Sequence, residues 1–385
     1  MPFTLGLREL LLATSIASSL SVYSCSPVWA ENDAIAPALQ AIRSVGPEGQ
    51  GNEKAQAAWA QVVKQASASD IPQVLAAMRD TGPISTNWLR AAVDAIAQRA
   101  RRSQQSLPQQ SLEEFLADAS QAPRARRTAY ELLRAIDPEM ERRILPSMLN
   151  DASLDMRRDA VTTVLEQARM FAKNDQRDAA IKSYRAAFDA ARDLDQVKEA
   201  AKELRELDQE ADVTKHYGFV LDWQLIGPFD NTGTQGFDVA YPPEAKISLG
   251  ESVQGKEGQV AWKQHTTDDE FGVVDLNKAI GKHMGAIAYA YAEFTSPVAR
   301  DVEFRLGCIN GNKLWVNGQE VISNHVYHAG MEVDQYAATA PLHPGKNTIL
   351  LKIAQNEQTE DWAQNWQFQL RVCDALGTAI ASGSQ

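Results

Sequence analysis

The sequence predicts an α-then-β multidomain chain, a run of paired helices followed by an antiparallel β-sandwich, on three observations. Up to about residue 212, Ala, Leu, Gln, Glu and Arg dominate and apolar residues recur at three and four. From about 213, Trp becomes common and period-two alternation takes over. No long helical pattern interrupts the later strands, and turn-rich stretches separate them. With 385 residues and 44% hydrophobic content, the chain can bury two cores.

Residues 1–30 read as a leader. Arg8 precedes an apolar run, Leu10 to Val22, too short to span a bilayer, and Val28-Trp29-Ala30 places small residues where a signal peptidase cuts. Cleavage after Ala30 implies export, leaving the protein periplasmic, cell-surface or secreted. Val22-Tyr23-Ser24-Cys25 offers the alternative of a lipoprotein acylated at Cys25, although Tyr23 stands where a small residue is usual. No later segment has the length and apolarity of a transmembrane segment.

Residues 31–212 form the predicted helical domain. In LDMRRDAVTTVLEQARMF, Leu154, Val161, Val164, Leu165 and Ala168 share a face, with Arg157 and Arg158 off it; Asp151 or Ser153 is the N-cap. Breaks at Gly82-Pro83, Pro108, Pro123, Pro138 and Pro146 separate short helices, so the pattern is that of a solenoid. Arginine clusters at 101–102, 124–127, 142–143 and 157–158 read as polar faces and turn-bridging residues, with an anion-binding surface as the alternative.

Residues 213–385 form the predicted sandwich. Phe219, Leu221, Trp223 and Leu225, then Val302, Phe304 and Leu306, then Ile349, Leu351 and Ile353, then Phe368, Leu370 and Val372 mark alternating strand faces. Asn317-Gly318 is a type I′ hairpin signal and Pro344-Gly345 a second turn. Cys308 falls at inward parity and Cys373 with Gln367, Gln369 and Arg371 at polar parity, which argues against a disulfide. Net charge is −12; with acid in excess in both halves, nucleic acid is not expected as a partner.

Residues 137–165, DPEMERRILPSMLNDASLDMRRDAVTTVL, resemble a HEAT-type unit. Ala180, Tyr184 and Ala187 match the spacing of a tetratricopeptide helix, without the Trp and Gly of that consensus. The resemblance implies a solenoid that binds a protein partner through its helical surface. The order strand, Val-Asn-Gly, strand, His-containing loop, strand, Leu-x-Pro-Gly-x-Asn, strand resembles the galactose-binding-like jelly roll. WQLIGPFDNTGTQGFDVAYPPE, residues 223–244, looks like the opening of a variant found in secreted bacterial proteins, often behind HEAT-type helices. This resemblance implies a non-catalytic module and a carbohydrate or cell-surface glycan as ligand.

The chemistry-rich stretch is NHVYHAGMEVDQ, residues 324–335. A zinc site at His325 and His328 would need a further ligand such as His343, Asp334 or Glu332, and the helical HExxH spacing is absent, so no metal or catalytic residue is assigned. The candidate ligand-binding residues are Trp315, Asn317, His325, Tyr327, His328, Asp334, Gln335 and Trp362: aromatics for a sugar's apolar face, amides and charged groups for its hydroxyls. Trp223 and Trp366 read as core. Glu357, Glu360 and Asp361, and Asp230, Asn231 and Asp238, read as solvated loops; no cofactor is called for, and structural calcium is the alternative there. The expected function is that of an exported, non-catalytic binding or scaffold protein. The alternative is a glycan- or ester-directed hydrolase using His325, His328 and Asp334.

Overall fold

The computed structural model describes residues 32–383, so the leader reading at 1–30, with Cys25 and Ala30, lies outside the described residues. Helices run from Ala36–Arg43 to Val213–Tyr217, and the strands follow from Asp222–Asp230 to Gln367–Cys373, in the α-then-β order expected. The chain divides after Pro138 into two units. The division and the change of secondary structure therefore fall at different places, because the helices after Pro138 share a unit with the sheets.

In the first unit the prolines start helices: Pro83 and Pro123 occupy the first turns of Pro83–Arg102 and Pro123–Arg134, where the missing N–H costs nothing. The arginines there act as bridges. Arg90 pairs with Glu131 at 2.6 Å, and buried Arg126 donates from Nε to the Leu116 carbonyl at 2.9 Å.

In the second unit, helices Leu154–Lys173, Arg177–Ala190 and Leu194–Glu206 pack in sequence, burying Ala180, Tyr184 and Ala187. Ser153 is the N-cap, accepting from the Met156 N–H. Two expectations for this helix are corrected. Leu154, in the first turn, is 42% exposed, whereas Arg157 is buried and its Nε donates to the Asp151 carbonyl, satisfying an oxygen just before the cap. Arg158 pairs with Asp195 at 2.6 Å, bridging the first and third of these helices.

The strands are β1 (Asp222–Asp230), β2 (Ser252–Gly255), β3 (Gly258–Ala261), β4 (Lys263–Thr266), β5 (Val274–Asp275), β6 (Ala286–Ser296), β7 (Arg300–Cys308), β8 (Gly311–Val316), β9 (Gln319–Asn324), β10 (Tyr336–Leu342), β11 (Gly345–Gln355) and β12 (Gln367–Cys373). They form a six-stranded sheet, β4-β1-β6-β11-β8-β9, a four-stranded sheet, β10-β7-β12-β5, and a ribbon, β2-β3. The pairings are antiparallel. The alternating residues from Trp223 to Val372 join one core between the sheets, whereas Phe219 and Leu221 precede β1 and pack with the helices beside Val213 and Tyr217. Trp366 is fully buried, its indole N–H on the Ile353 carbonyl.

Three departures matter. In β1 the register shifts between Ile226 and Phe229, so Ile226 and Phe229 both join a second cluster on the outer face of the six-stranded sheet. The central strand β6, unread as a strand, has both faces buried, alanines inward and Tyr289 and Tyr291 outward. The polar parity of β12 is not solvated: Gln369 and Arg371 are buried, and Arg371 bonds the Tyr217 and Gly377 carbonyls. Cys308 and Cys373 are free, buried thiols.

The hairpin at Asn317-Gly318 has φ of 51° and 81°, the left-handed values that a type I′ turn requires. Gly318→Ala is expected to cost about 1 kcal/mol, since an L side chain is strained there even though the space is open. Urea unfolding followed by tryptophan fluorescence measures it.

Candidate ligand-binding site

Three connections meet at one end of the six-stranded sheet: residues 230–238 after β1, 324–335 between β9 and β10, and 355–366 between β11 and β12. The register places them together, since Asp230 and Gln355 both oppose Ala286, Ala354 opposes Gly311, and Asn312 opposes Asn324. Gly311 sits beneath this packing, where a Cβ would just touch the Phe237 and Tyr327 rings at 3.4 Å.

The rings form a row. His325 stacks on Phe237 with centroids 4.1 Å apart and planes 3° from parallel. Tyr327 stands edge-on to His325 at 5.5 Å and lies 6.4 Å from His328. The Trp362 ring is edge-on to His328 at 5.2 Å. Phe237 is buried at one end of the row, and Trp362 at the other is 63% exposed.

Hydrogen bonds fix these rings. Asn231, fully buried, donates its backbone N–H to the Gly285 carbonyl at 2.8 Å and its Nδ2 to the Gln355 carbonyl at 2.9 Å and the Tyr327 hydroxyl at 3.1 Å. Burial raises the Tyr327 phenol above its ordinary pKa, and the bond from Asn231 opposes that shift. His328 Nε2 lies 3.0 Å from Asn356 Oδ1, an atom that can only accept, so Nε2 carries the proton. Glu357 accepts from the Gly233 N–H at 2.8 Å, tying the third connection to the first.

Of the eight residues read from sequence, His325, Tyr327, His328 and Trp362 come together. The other four do not. Trp315 lies on the outer face of the six-stranded sheet. Asn317 ties its hairpin to β11, donating to Asn347 Oδ1 at 2.8 Å and accepting from the Thr348 N–H. Gln335 accepts from the Cys308 N–H and donates to the Gly330 carbonyl, pinning the loop. Asp334 turns to the other sheet, where its oxygens accept from Arg371 and Arg305 at 2.6–2.8 Å.

Sequence reasoning missed Asn231, Phe237 and Asn356. The loop DNTGTQGFD was expected to be solvated; Asp230 and Asp238 are exposed as expected, and the correction concerns Asn231, which is buried, and Phe237, buried at one end of the row, where the lone Phe among small polar residues was the available signal. Among the described residues, no three His, Cys, Asp or Glu side chains are grouped to hold a metal ion. No described helix is long and apolar enough to cross a membrane.

No family model matches the sequence, and no curated protein matches it. Solved structures with some similarity include a β-glucosidase from Kluyveromyces marxianus in complex with glucose, at 12% identity and a TM-score of 0.25, covering 40% of this chain and 16% of that one. An anti-sigma factor domain-containing protein from Clostridium clariflavum has the same identity and TM-score and covers 43% of this chain and 48% of that one. The DNA glycosylase AlkC of Pseudomonas fluorescens, bound to DNA with an abasic site analog, covers 90% and 96% at 12% identity and a TM-score of 0.21. This chain thus spans less than half the length of the first two. Superpositions this poor assign neither family nor activity.

Proposed function

We propose that the protein is an exported, non-catalytic binding or scaffold protein. Its sandwich, of galactose-binding-like type, takes carbohydrate at the ring row, and its HEAT/TPR-like helices offer a surface to a protein partner. The observation that carries the reading is Trp362, 63% exposed yet held edge-on to His328 at the end of a fixed row of rings. An exposed indole that is already ordered loses little side-chain entropy when a sugar's C–H face stacks on it. Beside it, Asn356 and the carboxylates of Glu360 and Asp361 supply partners for hydroxyl groups. The hydrolase alternative needs Asp334 to orient a histidine, but its oxygens accept from two guanidiniums instead.

A glycan array probed with the full chain tests the proposal. Binding should appear, and Trp362→Ala should weaken it about tenfold, or roughly 1.4 kcal/mol. The same change should alter stability by less than about 0.5 kcal/mol because the ring is exposed. An array without binding removes the carbohydrate part and leaves scaffolding.

A further inference from the structure

The connection between β11 and β12 sets three carboxylates around the exposed ring of Trp362. Glu357, Glu360 and Asp361 are all exposed. Glu360, Asp361 and Trp362 are consecutive, so the Cα atoms of the two acids lie at most about 7.6 Å from that of the tryptophan. Buried bonds hold the segment in place. Ala363 is buried and its carbonyl accepts from Gln355 Nε2 at 3.2 Å, while the Gln364 carbonyl accepts from Asn277 Nδ2 at 2.8 Å.

Neighbouring basic groups do not cancel this charge. Lys256 pairs with Asp230 at 3.2 Å and donates to the Met284 and Gly285 carbonyls. Lys313 pairs with Asp238 at 3.3 Å. Lys282, exposed on the loop leading to Gly285, sets one positive charge against the three carboxylates. Among the described residues, none of the three forms an ion pair. The rest of the row adds further acceptors. With the proton on Nε2, His328 Nδ1 is an acceptor, and neither it nor Oδ1 of the fully buried Asn231, whose amide faces the Tyr327 hydroxyl, has a partner.

We infer that the ring row selects an amino sugar in its ammonium form, a basic glycan of the β-1,4-linked glucosamine type, over neutral and acidic sugars. This rests on the reading of the row as a carbohydrate site. An ammonium carries donors and no acceptor, so it complements a site rich in carboxylates. The indole is the aromatic ring that attracts a cation best, and it still offers its surface to the sugar's C–H face. Each exposed ion pair contributes little alone, but the carboxylates and the ring act together on one ligand. The same carboxylates repel a uronic acid chain.

Isothermal titration calorimetry of the full chain at pH 6.5 and low salt tests this with a glucosamine tetramer and cellotetraose, which differ only in the group at C2, and with tetragalacturonate and tetralysine. The glucosamine tetramer should bind at least tenfold tighter than cellotetraose. That advantage should fall severalfold in 1 M NaCl, where the Debye length is about 3 Å. Glu360→Gln combined with Asp361→Asn should bring the two sugars within about twofold of each other, with circular dichroism unchanged, and Trp362→Ala should weaken both about tenfold. The inference is overturned by equal affinity for the two sugars, by an advantage that survives neutralising the carboxylates, or by preference for tetragalacturonate. It is also overturned if tetralysine binds as tightly with the same dependence on Trp362, which would make the row a site for basic peptides. Cellotetraose binding without a glucosamine advantage keeps the row as a carbohydrate site, whereas no binding to any of the sugars removes that reading together with the inference.

Discussion

Replacing Asp334 with alanine should destabilise the unit after Pro138 by about 3–5 kcal/mol, because it leaves a buried guanidinium without its counter-charge. Arg371 is 1% exposed and donates from Nε and Nη2 to the two oxygens of Asp334 at 2.6 Å each. Arg305 adds a bond at 2.8 Å. Burial alone would raise the Asp334 carboxyl, but Arg371 and Arg305 overcome this and hold it below its usual pKa. The remaining Arg371 bonds, to the Tyr217 and Gly377 carbonyls, and its place 5.1 Å over the Tyr217 ring fasten the last helical turn to β12. Urea unfolding followed by tryptophan fluorescence gives the loss directly. Asp334 has φ of 63°, which asparagine tolerates well, so Asp334→Asn separates the charge from backbone strain. The double change Asp334→Ala with Arg371→Met should lose less than Asp334→Ala alone, since no unpaired charge remains. A loss below about 1 kcal/mol for Asp334→Ala would refute the account and return Asp334 to the candidate ligand residues.

Asp334 also marks the limit of what the sequence could tell. It stands within twelve residues of His325 and His328, and proximity in sequence suggested a shared site. The chain, however, reverses between them at Gly330, with φ of 74°, and delivers the carboxylate to the opposite sheet. Alternation predicted the inward faces of β7, β11 and β12 because a strand's period is fixed by its backbone. It could not predict that the outward faces would be covered, since coverage depends on the 231–262 segment and the 213–219 turn, contacts distant in sequence. Gln369 and Arg371 therefore read as solvated though buried, and Phe237 read as loop though it stacks under His325. The bulge after Ile226 was equally invisible, as alternation carries no sign of an inserted residue until a partner strand is known. The hairpin at Asn317-Gly318 was legible because its turn is chosen locally, by residues that accept positive φ.

Stability should also fall between about pH 6.5 and pH 4, and His216 is the group responsible. It sits where the helices meet the sandwich, its ring 4.7 Å from Phe188 and 5.3 Å from Tyr217, with Nε2 bonded to the Ala191 carbonyl at 3.0 Å. Arg185, Asp189, Glu210, Asp212 and Lys215 line the cavity it borders. Burial lowers its pKa from 6.5 to about 4; Arg192 and Arg371 push the same way, and the Ala191 carbonyl opposes them. The unfolded chain, with histidine near 6.5, binds the proton first, so stability is fully present above about 6.5 and is lost as pH falls through about 4. The difference is worth up to about 3 kcal/mol. Asp334, also held low by its partners, adds its own loss only at pH values nearer the ordinary carboxylate range, so the first part of the decline isolates the histidine. His216→Gln keeps a neutral donor for the Ala191 carbonyl and removes the titration. Urea midpoints measured at half-unit steps from pH 7.5 to 4.5 should slope downward for the native chain and lie nearly flat for the variant. Equal slopes in the two would show that the acid sensitivity arises elsewhere.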